Sequence, residues 1–137
     1  PLVGRQAGLL LADTARYAEK QLFVAQCGVD PARIAAIGGI EARGVDLWAE
    51  RERVLDLLTE AGKHLLAAGR VQVLLLGCLS FLGLAHPLSE RLGVPVVDPA
   101  VAPVALAECL VRQGLKTSRK AYPAPPLRKR TWQSGQL

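Results

Sequence analysis

The sequence has no methionine, two histidines, three cysteines, and only two each of tryptophan, tyrosine and phenylalanine among 137 residues. Each shortage excludes something. With so few aromatics, a core must be built from Leu, Val, Ala and Ile, and a nucleic-acid surface of interleaved bases and rings has little to work with. Cys27, Cys78 and Cys109 form no close-spaced pair, and an odd count argues against a disulfide framework. The two histidines lie far from these thiols in sequence, so a metal site has no ligand spacing to support it. The longest apolar region, residues 71–85, is broken by Gln72 and Ser80 and is shorter than the roughly 18 residues of a membrane span. No signal-peptide pattern opens the chain. The expectation is a reduced, cytoplasmic protein that engages neither membrane nor nucleic acid. The absence of methionine, with Pro1 first, reads as a processed product or part of a longer protein.

Charge is unevenly spread. The formal net charge is +5, yet residues 1–115 hold eleven Lys/Arg against twelve Asp/Glu. The basicity sits in Lys116, Arg119, Lys120, Arg128, Lys129 and Arg130, with no acid among them. A neutral body, residues 1–122, is therefore followed by a Pro-rich basic tail, residues 123–137, expected to be disordered.

Half of the residues are apolar, enough for one domain with a real core. Residues 7–13 (AGLLLAD) read as a buried strand, and Asp13 or Thr14 offers an N-cap for a helix ending near Gly28. Residues 33–37 read as a second strand closed by Gly38-Gly39. A long amphipathic helix is expected from Val45 to about Gly69, its face marked by Leu47, Trp48, Val54, Leu55, Leu58, Ala61 and Leu65. A short helix over residues 84–92 must keep Pro87 in its first turn. Residues 94–97 form a strand ending at Asp98, and a last helix runs from near Ala100 to Gln113. Strand and helix thus alternate throughout, the pattern of an α/β fold: a parallel sheet with helices on both faces.

The centre of that pattern is residues 71–80, VQVLLLGCLS. Its unbroken aliphatic run is how a strand covered on both faces reads. The run ends in Gly77-Cys78, and ligands of open α/β sheets bind just outside the carboxyl ends of strands. A thiol there would meet the N–H groups of the turn after it, which favours thiolate, a nucleophile or a base for a carbon acid. The competing reading makes Cys78 a small buried apolar residue.

The segments LLLGCLSFLGLA, LSERLGVPVVDP and ALAECLVRQGLKTSR resemble the C-terminal half of the Asp/Glu/hydantoin racemase family, most closely its hydantoin and allantoin racemase branch. The likeness is specific from Val71 to about Tyr122 and looser before Arg70. It implies two similar α/β domains facing each other across a cleft, no cofactor, and one cysteine from each domain. One thiolate takes the proton from the α-carbon and the other thiol returns one to the opposite face. In that comparison Cys78 is the catalytic cysteine of the second domain. Gly77, Leu79, Ser80 and Asp98 stand at substrate-binding positions, with Leu79-Ser80 where many relatives have Thr-Gly or Ala-Gly. Family chains also carry an N-terminal domain with its own strand-end cysteine, which has no counterpart here. The implied partners are a small-molecule substrate and either that missing domain or a second copy of the chain.

Two alternatives stand beside the racemase: a single-cysteine decarboxylase of malonate-like acids, which protonates an enolate from one face, and a non-catalytic module needing a partner domain. Among the remaining polar residues, His64 is expected on the surface near Glu60. His86 is expected at an exposed helix start, and Cys27 and Cys109 as structural residues, Cys109 filling the core beside Val101, Ala105 and Leu106.

Overall fold

The computed structural model describes residues 3–42 and 44–124. Nearly all of the basic tail, including Arg128, Lys129 and Arg130, lies outside the described residues. The chain divides into two units, Pro1–Ala105 and Leu106–Leu137.

The first unit holds four strands, β1 (Ala7–Leu11), β2 (Ile34–Gly39), β3 (Val73–Leu76) and β4 (Val96–Val97). Between them run α1 (Tyr17–Gln26), α2 (Arg51–Ala67) and α3 (Ala85–Leu92), and α4 (Val101–Arg112) comes after β4. The strands form one sheet in the order β2-β1-β3-β4, every pair parallel. The α/β reading of the sequence is what is observed. The chain steps outward from β1 to β2, then returns past β1 to β3. Right-handed crossovers therefore put α1 on one face and α2 and α3 on the other.

The central strands are apolar because both of their faces are covered. Leu10 and Leu74 are fully buried, and Leu11, Val73 and Leu76 nearly so. Helix α2 packs on β1 and β2 and against α3, burying Val54, Leu55, Leu58 and Leu65. Leu65 lies over the sheet where β2 carries Gly38, whose missing Cβ would stand 3.0 Å from Leu65 Cδ2. Phe81 and Leu88, both fully buried, complete this side of the core.

Two sequence expectations shift. Helix α2 begins at Arg51, not Val45, because residues 45–50 are held in a turn. There Asp46 accepts hydrogen bonds from the amides of Trp48 and Ala49, and Glu50 accepts one from the Asp46 amide. The amides of Ala49, then Trp48, hold the Asp46 carboxyl below its usual range. Trp48 is accordingly exposed rather than on a buried helical stripe. Both interior prolines, Pro87 and Pro103, are the third residue of their helices, where no intrahelical N–H bond is lost.

The second shift concerns α4, which buries none of its residues. Cys109 is exposed and does not fill a core. Its apolar spacing suits a covered helix, yet Val101, Val104, Leu106, Leu110 and Val111 are exposed. In the second unit the helix ends in a turn in which the Gly114 amide donates to Val111 and that of Leu115 to Leu110.

Candidate active site

The order β2-β1-β3-β4 places a topological switch point between β1 and β3, the two strands from which the chain departs in opposite directions. The crevice outside their carboxyl ends is the place such folds bind ligands. The register pairs Leu10 with Leu76, so the residues just beyond β1 and β3 emerge side by side. Leu11, Ala12 and Asp13 come from one strand end, and Gly77 and Cys78 from the other. Together with Arg16 and Lys20 they line a pocket of about 220 Å³.

Gly77 makes this approach possible. Its amide donates to the Leu10 carbonyl at 2.8 Å. A Cβ at this position would lie 2.7 Å from Leu11 Cδ2 and 3.1 Å from the Leu10 oxygen, closer than side chains pack. Any larger residue would push the cysteine away from β1. Cys78 itself is extended (φ −137°, ψ 132°) and half-buried, its side chain against the apolar core.

Directly after Cys78 the backbone makes a three-residue 3-10 turn, Leu79–Phe81, and the next helix, α3, starts only at Ala85. The cysteine makes no side-chain capping bond to that turn. Buried Phe81 pins the turn to the core, its amide donating to the Cys78 carbonyl at 3.0 Å. Leu79 is exposed and Ser80 half-buried. As the first residues of the turn, neither finds a partner within it for its N–H.

Two charged side chains fix this loop from behind. Arg51, at the start of α2, donates to the carbonyls of Ser80 at 2.7 Å and Leu47 at 3.3 Å, and also to that of Leu82. Its guanidinium lies over the Trp48 ring, 5.2 Å from the centroid. Asp98 is buried and accepts from the Gly83 amide at 2.8 Å through one oxygen. Its other oxygen accepts from Ala100 at 2.9 Å and Val101 at 3.1 Å, capping α4. Burial works against the Asp98 charge, but the amides of Gly83, Ala100 and Val101 and the charge of Arg51 outweigh it, holding the carboxyl below its usual range. Gly83 has φ +81°, a left-handed conformation that a side chain would strain, so Asp98 clasps the loop at its tightest point.

The residues expected at the site are thus distributed unevenly. Gly77 and Cys78 line the switch-point pocket. Asp98 lines a different hollow of about 520 Å³ with Ser89 and His86, and both of its carboxylate oxygens are bonded to backbone amides. His86 is exposed beside Glu90 at 3.5 Å, His64 is exposed, and Cys27 is exposed at the end of α1. A larger hollow, about 570 Å³, lies between α1 and β2, lined mainly by aliphatic side chains. Among the described residues, no three His, Cys, Asp or Glu side chains gather in a way that could hold a metal, and no helix is long and apolar enough to cross a membrane. Arg16, Lys20 and Arg51 were not legible as site residues. The first two become neighbours of Cys78 only once β1 and β3 are known to be adjacent. The Trp48-x-x-Arg51 spacing was the sole local hint of the third.

No family model matches the chain. It is 38% identical over 84 residues to a hydantoin racemase from Paenarthrobacter aurescens, an alignment covering 60% of this chain and 36% of that protein. Against a hydantoin racemase from Pseudomonas sp. (strain NS671) the identity is 37% over 82 residues, covering 59% and 33%. In fold it is similar to allantoin racemase from Klebsiella pneumoniae, with a TM-score of 0.78 at 22% identity, covering 96% of this chain and 54% of that one. Allantoin racemase from Pseudomonas fluorescens gives 0.76 at 24% identity, covering 96% and 56%. The chain therefore matches about a third of the length of these curated relatives and about half of these solved structures. The sequence likeness is to hydantoin racemases, and the solved structures share the fold.

Proposed function

We propose that this chain, similar to hydantoin and allantoin racemases, contributes one of the two acid–base faces of a cofactor-independent racemase of hydantoins, allantoin or related amino-acid derivatives. The observation that carries the reading is the position of Cys78 at the β1/β3 switch point, in a pocket open to a small molecule. A hydantoin carries a C–H bond next to a ring carbonyl. Loss of that proton leaves its electron pair delocalised onto the carbonyl oxygen as an enolate. Cys78, as thiolate, takes the proton and becomes the thiol, and an acid on the opposite side of the ring delivers a proton to the other face, inverting the centre. In the return direction Cys78 is the acid. The free amides at Leu79 and Ser80 open the turn beside the thiol and offer donors for the developing enolate oxygen.

Inversion needs a second acid that faces Cys78 across the substrate. Cys27 is exposed at the end of α1 rather than in the pocket, and on this reading the second group belongs to a further domain or a second copy. The test monitors hydantoin chirality by polarimetry and C5 deuterium uptake by mass spectrometry in D2O. Cys78 acting with an opposing acid gives inversion with deuterium, and Cys78 acting alone gives uptake without inversion. Both are lost in Cys78→Ala. Uptake by Cys78→Ala at the wild-type rate, or no uptake above the uncatalysed rate in the wild type, would refute the proposal. Deuterium gained only by the decarboxylation product of a malonate-like acid would assign the single-cysteine alternative instead.

A further inference from the structure

Helix α1 buries none of its residues. Its apolar residues Leu22 and Phe23 are 61% and 58% exposed, whereas the residues that are half-buried are Lys20 and Val24. Leu22 and Val24 border the hollow between α1 and β2, whereas Lys20 borders a different one. That second hollow is the Cys78 pocket, whose lining includes Lys20 and, one helical turn earlier in sequence, Arg16.

The charges around this thiol are unequal. Asp13 supplies the one carboxylate of the lining, and its Oδ1 accepts from the Ala15 amide at 2.8 Å. Arg16 pairs with Glu19 at 3.0 Å, with both side chains more than half exposed. Such a pair is held weakly, and the guanidinium can exchange Glu19 for another anion. Lys20 has no carboxylate within 4 Å among the described residues; its ammonium stands 5.7 Å from the Phe23 ring centroid. The pocket therefore places two cations against one acid beside the cysteine.

We infer that Arg16 and Lys20 form an anion subsite next to Cys78, and that the preferred ligand carries a carboxylate near its reacting carbon, as a carboxyalkyl hydantoin or a ureido acid does. The inference rests on the reading of Cys78 as the reactive thiol of this pocket and deepens it by naming the substrate class. Lys20 is the principal anchor, being half-buried and unpaired, and Arg16 is the second.

Alkylation of the three free thiols tests this on the chain itself. Each cysteine is reacted with iodoacetate and, separately, with iodoacetamide, and the rates are read site by site by peptide mass spectrometry. The two reagents form the same S–C bond and release the same iodide, but only the first is an anion. The iodoacetate-to-iodoacetamide rate ratio at Cys78 is expected to exceed that at Cys27 and Cys109 by about three- to tenfold, the effect of one or two cations acting through water at this range. Lys20→Gln combined with Arg16→Gln brings it down to theirs, and about 0.5 M salt does most of the same. Arg53→Gln, which removes one charge outside the pocket, leaves the ratio unchanged. A Cys78 ratio no higher than those of the other two thiols, or one that the double substitution does not lower, would overturn the subsite. The parent reading fails separately: with the ratio raised as expected, no C5 deuterium uptake above the uncatalysed rate from either a neutral or a carboxylate-bearing hydantoin would leave an anion site without a racemase.

Discussion

Replacing Arg51 should loosen the loop that carries the candidate nucleophile. Its guanidinium serves three backbone carbonyls, of Leu47, Ser80 and Leu82, and two of these belong to the segment directly after Cys78. Hydrogen bonds from a charged donor contribute about 1.5–3 kcal/mol each when buried. Arg51 is only half-buried, so water can replace part of what is lost. Counting the 2.7 Å bond to Ser80 in full, the other two at a fraction, and about 0.5 kcal/mol for the Trp48 ring, Arg51→Met should cost about 2–4 kcal/mol. Urea unfolding monitored by far-UV circular dichroism would register this as a midpoint about 1–2 M lower, for a slope near 2 kcal/mol/M. Arg51→Lys keeps the charge but not the planar fork, and its ammonium cannot span three carbonyls. It should recover less than half of the loss. Alkylation of Cys78 relative to Cys27 should change in Arg51→Met, because the turn that orients the cysteine is freed. A variant within about 0.5 kcal/mol of the wild type, with Cys78 alkylated at an unaltered relative rate, would show that the clamp holds nothing.

The same geometry fixes three further outcomes. Gly77→Ala sets a methyl against Leu11 and the Leu10 carbonyl, so it should destabilise by about 1–3 kcal/mol as overpacking does and lower any Cys78-dependent exchange more than a surface substitution of equal cost; a thermal midpoint equal to the wild type's would count against the close approach. Asp98→Asn should lose about 1–3 kcal/mol near neutral pH, since an amide cannot accept from Gly83 and the α4 amides together. Because folding lowers the Asp98 pKa, its contribution is present above the unfolded value near 4 and fades as pH falls through the folded one, so wild type and Asp98→Asn should converge in stability below about pH 4; a gap that stayed constant to pH 2 would contradict this. Leu74→Ala empties a fully buried position in the central strand and should cost about 2–5 kcal/mol by chemical denaturation, whereas a loss under 1 kcal/mol would mean that β3 is not covered on the face that meets α2.

The amino-acid sequence alone carries the alternation of strands and helices and the strand-end placement of Cys78. Those features are written in local terms: aliphatic runs for β1 and β3, three-and-four spacing for α2, glycine and proline at the ends of elements. It also carried the resemblance to hydantoin and allantoin racemases, because the segments around Gly77-Cys78 and Val94–Asp98 are contiguous in the chain. Helix spacing alone misplaced the start of α2, where the side chains of Asp46 and Glu50 capture backbone amides before the helix can begin. It also misplaced Cys109, since an apolar stripe says that a surface wants a cover and not that one is present. Which residues share the pocket with Cys78 depends on the winding of the sheet. Arg16 and Lys20 lie about sixty residues before Cys78 in the sequence and reach it because β1 and β3 are neighbours in the sheet while β2 lies outside them. Strand order is fixed by crossover handedness and by the burial of Leu10 and Leu74 between helices, neither of which is a local property. The buried strand ending in a thiol was legible residue by residue; the company that the thiol keeps was set by how the sheet is wound.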